Sequence, residues 1–118
     1  MQTIFMNLKL LIHIPDSKRF EAGLKMAKNF ILAIKDKHNY SVRILINFEG
    51  ITVLNEFEKF LPLYQELISL GGEVYFCENA LKAFNIPFEK IPQNGKTVPA
   101  GIVSLVEWQN EGYCYVRA

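Results

Sequence analysis

The sequence predicts an α/β fold, a three-layer α/β/α sandwich around a mostly parallel five-stranded sheet. Two observations carry that expectation. Short runs rich in apolar and β-branched residues alternate with segments of helical apolar spacing from residue 8 to residue 116. No linker, repeat or low-complexity stretch interrupts the alternation, so one domain is expected to span residues 1–118. A chain of this length can bury a core without disulfides or a structural metal.

Residues 8–14 form an apolar run broken only by Lys9 and His13, and Pro15-Asp16-Ser17 stops it and offers capping residues for a helix. This is the first strand, and it is expected to be buried. Over residues 18–35 the positions Phe20, Leu24, Ala27, Ile31 and Ile34 mark one helical face. Gly23, Met26, Phe30 and Ala33 add a second stripe, more apolar surface than one sheet contact needs, which suggests a second subunit. A turn at Lys37-His38-Asn39, with His38 at the surface, leads to a second strand over residues 41–48, closed by Glu49-Gly50.

Residues 51–70 have helical spacing, but Pro62 should divide them and serve as the first residue of a new helix, which Gly71-Gly72 ends. The third strand is 73–77, followed at once by a short helix over 78–84 and a loop over 85–96 punctuated by Pro87, Pro92 and Gly95. Residues 97–99 give a brief fourth strand, 100–110 a helix stopped by Gly112, and 113–116 the last strand. In that strand Tyr113 and Tyr115 alternate with Cys114 and Val116, which places Cys114 in the core.

Composition narrows the function classes. A net charge of +1 argues against nucleic-acid binding of the usual basic kind. No apolar run reaches the length of a membrane span, and the first residues lack the features of a signal peptide, so the expected setting is cytoplasmic and away from membranes. Neither of the two cysteines nor the two histidines has metal-ligand spacing, and no glycine-rich phosphate loop follows a strand, so neither a metal nor a cofactor is expected. The hydrophobic fraction of 50% is high for a domain of this kind and again hints at a covered surface.

Cys77 is the most informative residue. It closes the third strand and opens a helix, where the partial positive charge of a helix start favours thiolate over thiol. The N–H groups at the start of the 78–84 helix are the expected stabilising donors, and Glu78 would oppose them if its carboxylate faced the sulfur. His13, Asn47, Glu49 and Gly50 stand at strand ends on the same edge of the sheet, and Asn79 lies two residues past the thiol. In open α/β sheets that edge collects ligands, so these five are candidate substrate-binding residues, although turn and cap roles account for Asn and Gly equally well.

Three segments together resemble the DsrE-like proteins: Cys77-Glu78-Asn79-Ala80-Leu81-Lys82, Val98-Pro99-Ala100-Gly101-Ile102-Val103, and Gln109-Asn110-Glu111-Gly112-Tyr113-Cys114-Tyr115. The resemblance covers about residues 8–116 and includes Leu11-Ile12-His13-Ile14 and Asn47-Phe48-Glu49-Gly50. It implies an α/β/α domain with a five-stranded parallel sheet, assembly as a trimer or hexamer, and sulfur relay in which one cysteine holds a persulfide and passes it to a partner. By motif that cysteine is Cys77, and the chain looks closest to the small single-domain branch. The implied function is a sulfur carrier or sulfurtransferase served by donor and acceptor proteins. The alternative is a non-catalytic homo-oligomer that binds a small ligand or protein in clefts between subunits.

Overall fold

A computed structural model describes residues 4–118. Five strands, β1 (Asn7–Ile14), β2 (Asn39–Ile46), β3 (Glu73–Cys77), β4 (Lys96–Val98) and β5 (Cys114–Arg117), form one sheet in the order β4-β3-β2-β1-β5. Every neighbouring pair is parallel. The adjoining strands β1 and β2 are the longest, at eight residues each, and their carboxyl-terminal halves are buried. The sequence predicted this architecture, and the structure shows it.

Four α-helices connect the strands: α1 (Phe20–Ile34), α2 (Leu61–Ser69), α3 (Glu78–Ala83) and α4 (Gly101–Asn110). On one face Ile12, Ile14, Ile44, Ile46, Val74 and Phe76 pack against Phe20, Leu24, Ala27 and Ile31 of α1, Leu67 of α2 and Leu81 of α3. The other face, with Leu11 and Leu45, is covered by Leu105 and Trp108 of α4. Here Arg43 is sandwiched between the rings of Trp108 and Tyr113, 4.9 and 4.6 Å from their centroids. The chain therefore leaves β3 towards one face and β4 towards the other. Neighbouring strands whose connections part in this way leave a crevice at their carboxyl ends.

Several local expectations shift. The second strand ends at Ile46, not residue 48, because Phe48 turns into the left-handed region (φ 47°) and opens a 3-10 segment, Phe48–Phe60. That segment carries the helical spacing read over 51–60; Ile51, Leu54 and Phe57 are buried, and a kink at Glu56 divides it. Pro62 is the second residue of α2 and not the first. His38 lies in the expected turn, where its Nδ1 accepts the Met6 N–H at 3.1 Å. Met26 and Phe30, read as surplus, pack half-buried on the same core as the rest of α1.

The placement of Cys114 is corrected. It is exposed, because it lies at the start of β5, an edge strand, where its register partner is Leu10. Tyr113 precedes that strand, is buried, and bonds Ser41 Oγ through its hydroxyl at 2.6 Å.

Gly50 shows how tightly the β2 exit packs on β1. Its N–H donates to Pro15 O at 2.8 Å, and a Cβ would stand 2.4 Å from the carbonyl oxygen of Ile14. Backbone cannot yield as a side-chain tip does, so Gly50→Ala is expected to cost about 2 kcal/mol. A urea midpoint that drops accordingly is the expected result; an unchanged midpoint would show that the β1 and β2 ends part freely.

Candidate functional site

Cys77 sits at the β3 end of the crevice. It is the last residue of its strand, keeps extended backbone angles (φ −73°, ψ 120°) and stands directly before α3. The residue is 5% exposed. Its Sγ accepts the backbone N–H of Gly101 at 3.3 Å. The donor thus comes from the start of α4, not from α3 as the sequence suggested, and Cys77 makes no side-chain cap bond to α3. The first amides of a ten-residue helix have no intrahelical partner, and the helix dipole adds partial positive charge at the same place.

Position 101 lies where the start of α4 comes close to the ends of β2 and β3. A Cβ there would lie 3.4 Å from Cys77 Cβ, 3.5 Å from Asn47 Cβ and 3.2 Å from Leu45 Cδ2. The sequence gives residues 98–103 as a strand end, a helix start and part of a motif, without a role for Gly101; a glycine opening a helix opposite a strand-end thiol is the signal that the donor lies there.

A cavity of ≈ 280 Å³ opens above the sulfur. Cys77, Asn47, Asn79 and Gly101 line it together with apolar Ala80 and Ala83. Phe48, Phe84 and Ile102, all exposed, form its rim. No Lys, Arg, Asp or Glu lines it among the described residues. Glu78, the expected opponent of a thiolate, is engaged elsewhere: its carboxylate accepts the Thr97 hydroxyl at 2.8 Å. Thr97 pairs in register with Phe76, so it faces the opposite side of the sheet from Cys77.

Of the five candidate binding residues, Asn47 and Asn79 reach the cavity and the other three do not line it. His13 is 8% exposed and lies one layer behind Asn47. Its Nε2 is 2.7 Å from Asn47 Oδ1, and its Nδ1 is 2.6 Å from the Tyr115 hydroxyl. Burial holds the His13 pKa below its ordinary value of 6.5, assisted by Arg117 and opposed by the Asn47 bond and Asp16. Glu49 is a loop tie: it accepts the Ser17 N–H at 2.8 Å and the Ser17 hydroxyl at 2.6 Å, which keep its carboxyl below the usual range. Gly50 is the close-packed residue described above. Tyr115, which the sequence gives only as a last-strand residue within a motif, joins the candidate site through His13.

The two cysteines are free and far apart. β5 lies three strand positions from β3, about 14 Å at the usual strand spacing. Among the described residues no group of His, Cys, Asp or Glu is arranged to hold a metal ion, and no helix is long and apolar enough to cross a membrane.

Comparison with known proteins places this geometry in context. The model of the DsrE/DsrF-like family matches residues 9–117. Among solved structures, a protein of unknown function from Methanobacterium thermoautotrophicum superposes with a TM-score of 0.79 at 21% identity, over 94% of this chain and 99% of its own. At that identity the likeness speaks for the fold. No curated protein matches the chain in sequence.

The state of His13 has a consequence for stability. The unfolded chain takes up a proton near pH 6.5, whereas the folded chain resists it until a lower pH. The unfolded state therefore binds more protons in that window, and stability falls as pH drops from about 6.5 towards 5. His13→Gln should flatten this part of the profile. Equal slopes for parent and variant in urea unfolding across the window would show that His13 contributes nothing to it.

Proposed function

The chain belongs to the DsrE/DsrF-like family, and from that premise we propose that it is a sulfur carrier that holds sulfane sulfur on Cys77. The family is associated with sulfur relay. The observation that carries the reading for this chain is the Gly101 N–H on the sulfur at the floor of the cavity, 3.3 Å away. A donor there stabilises charge on sulfur, which a nucleophilic thiolate needs and an inert packed thiol does not.

In the proposed step the Cys77 thiolate attacks the outer sulfur of a donor's persulfide. The new S–S bond forms to Cys77, the donor's S–S bond breaks, and the donor leaves as its thiolate. Attack by an acceptor thiolate on the outer sulfur of Cys77 reverses the sequence and regenerates the Cys77 thiolate. Sulfane sulfur moves between equivalent partners, so the exchange calls for no redox cofactor. The cavity is the path to the buried sulfur, and its apolar rim fits docking of donor and acceptor proteins in the cytoplasm.

The protein is further proposed to act as a homo-oligomer. Ile102, Val103 and Val106 on the outer side of α4 are each more than half exposed and continue the apolar rim formed by Phe48 and Phe84. A second copy covering this stripe would remove it from water. The same apolar rim, with no charged group in the cavity, favours one rival reading: a module that binds a small apolar ligand with Cys77 as lining only.

Two measurements separate these outcomes. After incubation with a persulfide donor, intact-mass analysis should show a reductant-sensitive sulfur adduct on the parent and on Cys114→Ala but not on Cys77→Ser; no adduct on the parent would favour the ligand-binding module. Val103→Glu with Val106→Glu should leave the monomer's stability within about 0.5 kcal/mol but shift the light-scattering mass to that of one chain. An unchanged oligomer mass would place the interface elsewhere.

A further inference from the structure

Asn47 is the buried side-chain amide of the cavity. It is 5% exposed, and it lines the cavity beside Cys77. Its Oδ1 is taken by His13 Nε2 at 2.7 Å, so the amide nitrogen Nδ2 occupies the other side of the group. Among the described residues Nδ2 makes no hydrogen bond, and it is not one of the enclosed unpaired polar atoms, so it is open to the cavity, where a ligand or water can complete it.

The orientation of that donor is fixed from behind. Asn47 Oδ1 only accepts, so His13 Nε2 must carry the proton; in the neutral ring Nδ1 is then the acceptor, and the Tyr115 hydroxyl donates to it at 2.6 Å. The order Tyr115 O–H to His13 Nδ1, His13 Nε2–H to Asn47 Oδ1, leaves Nδ2 for the cavity. Burial keeps the ring neutral, in agreement with this order.

We propose that Asn47 Nδ2 is the hydrogen-bond donor to the outer, anionic sulfur of a Cys77 persulfide, with His13 and Tyr115 as the positioning residues that turn the amide towards it. This rests on sulfur carriage by Cys77. The division of labour follows from the geometry: Gly101 serves the inner sulfur, and the unpartnered amide is reserved for what Cys77 carries. The persulfide's proton goes to water, and the charge left on the outer sulfur is what Nδ2 meets. With no lysine or arginine lining the cavity, the stabilising groups available there are a helix start and the amides of Asn47 and Asn79, of which Asn47 is the buried one.

Two readouts decide it. Nitrogen-detected NMR of the His13 ring should show the neutral Nε2–H form; the Nδ1–H form would mean that Nδ2 faces His13 and would overturn the proposal. The second readout is the lifetime of the Cys77 persulfide, followed by intact mass in a Cys114→Ala background. Asn47→Asp preserves shape and the bond to His13 but replaces the donor with an oxygen, and it should shorten that lifetime about tenfold. Tyr115→Phe, on an exposed edge strand, should fold normally and shorten it about threefold. His13→Gln, which can still donate to Oδ1, should retain more of the lifetime than His13→Leu. A parent that loads sulfur with a lifetime indifferent to Asn47 sinks this proposal alone, whereas a parent that never loads sulfur sinks sulfur carriage itself.

Discussion

The constraint on which the molecule depends is the parting of the chain at β3 and β4. One strand exits to the face that α1 and α2 also cover, and the next exits to the face covered by α4 alone. That divergence opens the crevice, and it brings the first amide of α4 over the last residue of β3. A Cβ at position 101 would touch Cys77 and Asn47 at van der Waals distance and crowd the Leu45 methyl, so glycine there leaves the approach of helix start to strand end unhindered. Thiol, donor and cavity are thus consequences of one topological choice, and the remaining residues of the site refine it.

The layers differ in what they ask of the sequence. On the α1 side, branched aliphatics interlock, and the rings of Phe20, Phe57, Phe60 and Tyr64 add edge contacts such as the 4.8 Å pair of Phe20 and Phe60. On the α4 side one short helix must cover a whole face. Arg43 assists by lying between Trp108 and Tyr113, with its charge turned to Glu73 at 3.5 Å and Glu111 at 3.9 Å. Three outward residues of α4, Ile102, Val103 and Val106, are left apolar, next to the cavity mouth.

Most of the fold was legible in the sequence because alternation and helical spacing are local signals. The third strand was read with its observed limits, 73–77, since Gly71-Gly72 before it and the charged residues after it bound it sharply. Less legible were features decided by distant contacts. Phe48 looks like strand by propensity, yet adopts a left-handed angle that costs on the order of 1 kcal/mol and places its ring at the cavity mouth. Cys114 alternates like a core residue, but alternation does not say that its strand lies at an edge beyond the helix that should cover it. In the candidate site, Cys77 stands out by its own position at a strand end before a helix. The donor from Gly101 and the link through Tyr115 lie 24 and 102 residues from their partners, and no local pattern encodes such pairings.

The pairing of β5 with β1 has a consequence for how the molecule comes into being. Leu10 and Cys114 meet only when nearly the whole chain is available, and the entropy of closing so long a loop must be offset by the docking of α4 and β5 together. The bond from Tyr115 to His13 forms in that same event. A partly folded chain, with its first four strands in place, would have the Cys77 thiol but neither the helix start above it nor an oriented amide beside it. Completion of the site is therefore timed to completion of the fold, and the sheet's last strand acts as the latch for both.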